Sequence, residues 1–165
     1  MSEPFDNPPV LGTVEGKIRA IVESMGADVE YLFMNWAQAN VAIDKIKKPT
    51  IVYVLPASGS LDVKWNEVKD KPETFIAFVS STEFDFDGEE NDNIIEAMKR
   101  LAIRFIVALN NSGYFEQIEN DVPYSVLYDH LDENVTGVVI NPILEEIEGV
   151  RVCDDILRPS KSEEE

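Results

Sequence analysis

Residues 93–113 read NIIEAMKRLAIRFIVALNNSG, the most strongly periodic segment of the chain. Apolar residues recur at spacings of three and four, which places them on one face of an α-helix. Polar residues lie between them, so the other face would meet water. Asn91 or Asp92 is placed to cap this helix, and Ser112-Gly113 to end it. The apolar stripe is Ile94, Ile95, Met98, Leu101, Ala102, Phe105, Ile106 and Leu109, and the outward residues include Glu96, Lys99, Arg100 and Arg104.

A second helix is predicted near the start of the chain. Residues 13–26 carry an apolar stripe at helical spacing, with Thr13 suited to the N-cap and Gly26 to the position just past the end. Residues 35–48 are ambiguous, because their alanines favour a helix while their larger apolar residues are only loosely periodic. We expect Pro49 to end whatever structure precedes it.

Several apolar or alternating runs predict β-strands. Leu61, Val63 and Trp65 alternate with polar residues, which is typical of a strand with one exposed face. A turn-rich segment separates this strand from the apolar run before it, so residues 50–66 are predicted to form a hairpin. Pro142 predicts an edge position or a bulge in the last long strand. The predicted strands are 29–34, 50–55, 61–66, 74–80, 114–118, 124–130, 135–147 and 150–153, with turns at 56–60 and 69–72.

These elements predict an α+β fold. Strands that follow one another through short turns favour antiparallel pairing, and two helices suffice to cover one face of the sheet. We therefore expect a two-layer sandwich with a mostly antiparallel sheet covered by helices on one face. A single α+β domain is predicted over residues 13–153, between an N-terminal arm at 1–12 and an acidic C-terminal tail at 154–165.

The composition combines strong acidity with enough apolar residues for a core. There are 32 Asp and Glu against 14 Lys and Arg, a net charge of −18, and 44% of the residues are hydrophobic. Such a surface repels phosphate and anionic lipid, so we expect no sequence-specific nucleic-acid binding and no membrane partner. The acidity fits either a basic partner or a role in solubility alone. No apolar run has the length of a membrane span, and the first residues lack a signal-peptide pattern.

Catalytic and metal-binding patterns are weak. Oxygen-bearing residues from Asp85 to Glu96 fall at the ligand positions of an EF-hand loop. However, Glu90 stands where that loop needs glycine and Asp92 where it has an apolar residue, so we expect no calcium site. We predict no catalytic, cofactor-binding or metal-binding residue, and we do not expect an enzyme. The isolated candidates considered are His130 with Asp129 and Asp132, Cys153, and Ser58-Gly59-Ser60.

Two groups of basic residues stand out against the acidic background. They are placed to meet the acidic stretch of a neighbouring copy, in a head-to-tail contact of the kind that generates a ring or a tube. The alternative is an ordinary surface of mixed charge. The residues are Lys45, Lys47, Lys48, Lys99, Arg100 and Arg104 on the basic side, and Asp85, Asp87, Glu89 and Glu90 on the acidic side.

Segments spread over residues 13–153 carry a resemblance to a known family. They are the aromatic segment 29–36, Ala39-Asn40 with Asp44 and Pro49 before the strand 51–55, the strand 75–79, residues 102–105 and 109–110 of the long helix, and 131–137 leading into a strand that finishes near Val152-Cys153. In element order and in these residues the chain resembles the tail-terminator and head–tail connector ring proteins of tailed bacteriophages. A crAss-like phage is the specific source that the resemblance suggests.

The resemblance implies a structural virion protein rather than an enzyme. Such a protein forms a homo-oligomeric ring in the phage neck or tail, contacts portal, adaptor or other tail proteins, and lets DNA pass through its channel. It is assembled in the host cytoplasm and resides in the virion. The acidic stretch would then line the channel, where carboxylates repel phosphate, or pair with a neighbour's basic group.

Two other functions are compatible with the residues. One is an acidic adaptor or DNA-mimic inhibitor that binds a basic protein partner. The other is an enzyme that relies on carboxylates alone, since paired carboxylates are plentiful in the sequence.

Overall fold

The structure is a computed structural model, and it describes residues 12–35, 38–39, 42, 48–81, 88–127 and 135–151, without the side chains of 88–91. The predicted arm, apart from Gly12, and the predicted tail lie outside these ranges. The helices bounded within the described residues are α1 (Val14–Ser24) and α2 (Gly88–Ser112). The strands are β1 (Glu30–Met34), β2 (Thr50–Val54), β3 (Gly59–Val63), β4 (Glu67–Pro72), β5 (Ile76–Ser81), β6 (Tyr124–Leu127), β7 (Val135–Ile140) and β8 (Val150–Arg151).

The strands form two sheets, and the larger one confirms the predicted fold class. Its strand order is β1-β2-β5-β7-β6, and its pairs are antiparallel except for the parallel pair of β1 and β2. β5 is central, as its apolar run predicted, and β2 beside it is rich in β-branched residues. The chain is therefore an α+β protein with mostly antiparallel strands.

Helices α1 and α2 pack on one face of the larger sheet, and the main core lies between the two layers. Phe105 of α2 contacts Phe78 of β5, with ring centroids 5.6 Å apart. Side chains of both helices share this core with every second residue of β2, β5 and β7. Its buried members include Ile18, Ile21, Val22, Ile51, Tyr53, Ile76, Phe78, Met98, Leu101, Phe105, Leu109, Val138 and Ile140.

The ends of α1 follow the sequence prediction, whereas the start of α2 does not. Thr13 caps α1 by accepting a hydrogen bond from the Gly16 amide at 3.0 Å, and Gly26 has the positive φ of 115° that a glycine tolerates. Helix α2 begins at Gly88, so Asn91 and Asp92 lie inside it and the predicted cap was wrong. Acidic residues are favoured in the first helical turn, which explains how the acidic stretch enters the helix.

The opposite face of the larger sheet contacts part of the ambiguous segment. Gln38, Ala39 and Ala42 are helical, and the Asn35 side chain accepts a hydrogen bond from the Gln38 amide at 2.8 Å. Ala39 is fully buried in a second cluster on this face. The other buried members of that cluster are Val52, Ala77, Val79 and Val135. The segment therefore includes helical residues that cover the face turned away from α1 and α2.

The predicted hairpin of residues 50–66 was wrong in its pairing. Strand β2 is hydrogen-bonded to β1 and β5, so neither of its edges is free for β3. Instead β3 pairs with β4, and β4 pairs with β8, in a second, three-stranded sheet. Residues 69–72, predicted as a turn, belong to β4; Pro72 lies at the end of that strand, where a missing amide is tolerated.

The C-terminal half contains less strand than predicted. Residues 114–118 are irregular apart from a single bridge between Phe115 and Glu146. Strand β7 ends at Ile140 rather than continuing to 147, because Pro142 cannot donate to a sheet; its carbonyl accepts a hydrogen bond from the Thr74 hydroxyl.

Candidate interaction surface

The small sheet has one apolar and one charged face. Residues opposite each other on paired strands project to the same side. On one side, Val63 lies opposite Val68, Val68 lies opposite Val150, and Leu61 shares the same face. We call Leu61, Val63, Val68 and Val150 the apolar hairpin face. The other side is polar and charged, and carries Ser60, Asp62, Glu67, Lys69, Lys71 and Arg151.

The outer part of the apolar hairpin face is in water. Leu61 is 66% exposed and Val63 is 70% exposed. Trp65, in the turn that the Lys64 amide closes by donating to the Glu67 carbonyl at 2.8 Å, is 85% exposed. These residues lie on and just after β3, an edge strand of the small sheet. An apolar group on a free strand edge is typical of a surface that binds another chain.

A buried ion pair anchors the hairpin of β3 and β4, residues Gly59–Pro72, to the body of the protein. Glu146 is 3% exposed, and its carboxylate accepts hydrogen bonds from the Lys17 ammonium at 2.8 Å and from the Asp70 amide at 3.0 Å. Lys17 also donates to the Glu148 carbonyl at 2.7 Å. Glu146 thereby connects α1, β4 and the segment before β8. The hairpin is consequently held in one orientation although β3 contacts chiefly β4.

The same carboxylate influences Asp70. Partial burial, and secondarily the negative charge of Glu146, raise the pKa of the Asp70 carboxyl above its usual range. Asp70 lies opposite Leu61, and its own backbone amide is the one that donates to Glu146. One carboxyl group therefore lies on the same side of the small sheet as Leu61, next to the exposed apolar residues.

A second apolar surface lies between α2 and the edge strand β6. This α2–β6 groove has a volume of about 210 Å³ and a nearly wholly apolar lining. Ile103 and Tyr124 on its walls are 59% and 52% exposed, and Val107, one helical turn after Ile103, is 53% exposed. The lining residues are Lys99, Ala102, Ile103, Ile106, Val122, Tyr124, Val138 and Ile140.

One end of the α2–β6 groove is marked by Lys99. Its ammonium lies 4.9 Å from the centroid of the Tyr124 ring and 2.7 Å from the Glu96 carboxylate. Hydrogen bonds to Glu96 and to Tyr124 raise the pKa of Lys99 to about 12. The Tyr124 ring and the Lys99 ammonium thus make a cation–π contact at one end of a groove that is otherwise lined by apolar side chains.

Lys99 and Arg104, two of the three basic residues predicted on the long helix, point to different sides of it. Lys99 turns towards β6, as described above. Arg104 lies on the α1 side, where its guanidinium donates to the Met25 carbonyl at 3.2 Å and to Asp28 at 3.5 Å. Arg100 is exposed. The charge of Arg104 thus serves a contact within the chain, between α2 and the residues that follow α1.

The remaining predicted contact residues are only partly described. Lys48 is exposed and donates to the Ala27 carbonyl at 3.2 Å. Glu89 and Glu90 belong to the first turn of α2, but the structure does not describe their side chains. Lys45, Lys47, Asp85 and Asp87 also lie outside the described residues. Pairing between the basic and acidic groups of neighbouring copies therefore stays a prediction.

The chemical candidates bring no site together in the described part of the chain. Among residues 12–35, 38–39, 42, 48–81, 88–127 and 135–151, no three His, Cys, Asp or Glu side chains are grouped to hold a metal ion. The Ser58 hydroxyl donates to the Glu73 carboxylate at 2.6 Å across the base of the hairpin. His130, Asp129, Asp132 and Cys153 lie outside those ranges, and so do residues 85–87 of the EF-hand-like stretch.

Comparison with known proteins adds no relative: no family model matches the chain, and neither a curated protein nor a solved structure is significantly similar to it. In the described helices, no stretch combines the length and apolarity required to cross a bilayer.

Sequence reasoning found the alternation of Leu61, Val63 and Trp65 but not its significance. The pattern indicates two different faces, and apolar residues are ordinarily expected on the covered one. Here the apolar side chains are the exposed ones. The α2–β6 groove gave a weaker signal: Ile103, which lines it, and Val107, one helical turn further on, fall outside the predicted apolar stripe of the helix, although both are large and apolar.

Proposed function

We propose that this protein is a structural subunit that works by associating with further copies of itself. The observation that carries the proposal is the exposure of Leu61 and Val63 on the edge strand of an anchored hairpin, and of Trp65 in the turn that follows it. Full burial of such side chains is favourable by about 1.5–3 kcal/mol each, and a single copy leaves them largely in water. A second chain that covers them would recover this free energy.

The resemblance to phage ring proteins gives the proposal its biological form. Within it, the subunit forms a ring in the neck or tail of a tailed phage, in contact with portal, adaptor or other tail proteins. Its net charge of −18 supports a channel through which DNA passes without binding, because carboxylates repel phosphate. Neighbouring genes for portal and capsid proteins would support this placement.

The acidity also favours a second candidate, an acidic adaptor that binds a basic protein. The two candidates differ in the surface that they use. A basic partner would meet carboxylates, whereas self-association of a chain this acidic requires surfaces that are not acidic. The hairpin satisfies that requirement, since Gly59–Pro72 contains three lysines and three acidic residues and has no net charge.

The proposal is tested by the concentration dependence of the molecular mass. We expect sedimentation velocity to show oligomers of the wild-type protein, and electron microscopy to show closed rings of uniform size. Replacing Leu61 and Val63 by Thr and Trp65 by Ser removes the exposed apolar groups without changing the net charge. This hairpin variant should associate at least 100-fold more weakly, a loss of about 2.8 kcal/mol at a tenfold change per 1.4 kcal/mol.

A matched control changes the opposite face of the same strand. Ser60→Thr leaves the apolar groups and the charge in place, and its self-association should equal that of the wild type. A wild-type protein that stays monomeric at about 1 mM, a concentration at which even weak association is populated, would contradict the proposed function. Binding to basic proteins in that case would favour the adaptor.

A further inference from the structure

We propose that the hairpin of one copy docks in the α2–β6 groove of the next copy. This inference rests on the proposed function and names the two surfaces that meet in it. The hairpin supplies Leu61, Val63 and Trp65, and the groove supplies walls from α2 and β6.

One of the two surfaces consists of exposed side chains and the other is concave. The hairpin presents apolar side chains on an outer strand and at a turn, so it projects. The groove is a concave site between a helix and a strand, and it is lined by apolar side chains apart from Lys99. No residue of β3 or β4 lines that groove, so a chain does not fill its own groove with its own hairpin.

The charges of both surfaces allow two acidic chains to approach each other. The hairpin Gly59–Pro72 is neutral, so the whole excess of 18 negative charges lies on the rest of the chain. Among the residues that the structure describes, no acidic one lines the groove; the carboxylate beside it, Glu96, is paired with Lys99 at 2.7 Å. Contact through these two surfaces therefore avoids the repulsion that most other pairs of surfaces would meet.

The use of two different surfaces determines the kind of assembly. A contact between unlike surfaces leaves one hairpin and one groove free at the ends of every complex, so further copies add until a ring closes or a filament forms. A contact between two hairpins would instead be symmetric and would end at a dimer. Docking of hairpin in groove thus predicts an assembly larger than a dimer.

The test uses two variants that each keep one surface intact. The hairpin variant described above keeps its groove. A groove variant, Ile103→Gln with Val107→Gln, keeps its hairpin and replaces two exposed residues by a good helix former without altering the charge. Ile143→Gln, at an isoleucine that is 82% exposed and belongs to neither surface, is the control. Circular dichroism and thermal unfolding establish that all three fold.

We expect each single-surface variant to be monomeric at concentrations where the wild type and the control form oligomers. Mixed in equal amounts, the two variants should form a complex of twice the chain mass of 18.6 kDa and nothing larger. That complex would contain one intact hairpin in one intact groove. The intact surfaces should bind with a dissociation constant at least 100-fold lower than that of either variant for itself.

Other results would overturn the inference in distinguishable ways. A mixture that stays monomeric would show that hairpin and groove do not meet, while wild-type oligomers would leave self-association standing. A groove variant that dimerises by itself would show that hairpins pair with each other. A monomeric wild type would contradict the proposed function itself and the docking with it.

Discussion

Glu146 is the residue at which three parts of the fold meet. Its carboxylate accepts hydrogen bonds from the Lys17 ammonium of α1 and the Asp70 amide of β4. The side chains of Lys17 and Glu146 are both almost fully buried. The Lys17 ammonium also lies 6.0 Å from the centroid of the Phe115 ring. A buried charge that keeps its partner is tolerated, whereas one that loses it is strongly unfavourable.

Lys17→Met alone should therefore lower the free energy of unfolding by more than the double change of Lys17→Met with Glu146→Gln. It leaves the Glu146 carboxylate buried without its cation, and we expect a loss of about 3–5 kcal/mol in the free energy of unfolding. Adding Glu146→Gln removes the stranded charge and keeps an oxygen for the Asp70 amide, so the double variant should recover part of that loss. Urea denaturation of the four proteins of this cycle measures the difference. A double variant that is less stable than Lys17→Met would refute the account of this pair.

Strands β5 and β7 pack their backbones closely at the centre of the larger sheet, and Gly137 makes that approach possible. A Cβ atom at this position would overlap the carbonyl oxygen of Phe78 on the neighbouring strand. Gly137→Ala should therefore destabilise the protein by about 3 kcal/mol, at the upper end of the usual overpacking cost. Gly12→Ala is the matched control, because no atom of the described residues beyond its chain neighbours lies within 4 Å of the added methyl group. Thermal unfolding should separate the two variants; equal stability would contradict the close packing.

Elements with a strong local pattern could be predicted from the sequence, and their partners could not. The stripe of α2 and the β-branched run of β2 each indicate a structure by themselves. The pairing of β3 depends on whether the edges of β2 are already occupied, and distant strands decide that. The segment Lys69–Pro72 looks like a turn because it is polar and ends in proline, yet its partner β3 makes it a strand.

The arrangement of charge over the whole molecule was only partly predictable. The sequence shows that Lys99 and Arg104 lie on one helix, but residues five apart point about 140° away from each other around its axis. Lys99 accordingly meets β6 while Arg104 meets the end of α1. The neutral hairpin is visible in the sequence, but its significance depends on the exposure of Leu61 and Val63.

The response to salt separates the two contacts that could join copies of this chain. Each copy carries a charge of −18, so long-range repulsion opposes any association at low ionic strength. Raising the NaCl concentration from about 0.05 M to about 0.5 M shortens the screening length severalfold and should tighten self-association through apolar surfaces. If the lysines at 45, 47 and 48 instead paired with a neighbour's acidic stretch, the same change would weaken it. Sedimentation velocity across this series measures whether self-association becomes stronger or weaker with salt, and the hairpin variant is the control that should stay monomeric. Weaker association at high salt would rule out the apolar contact as the main one.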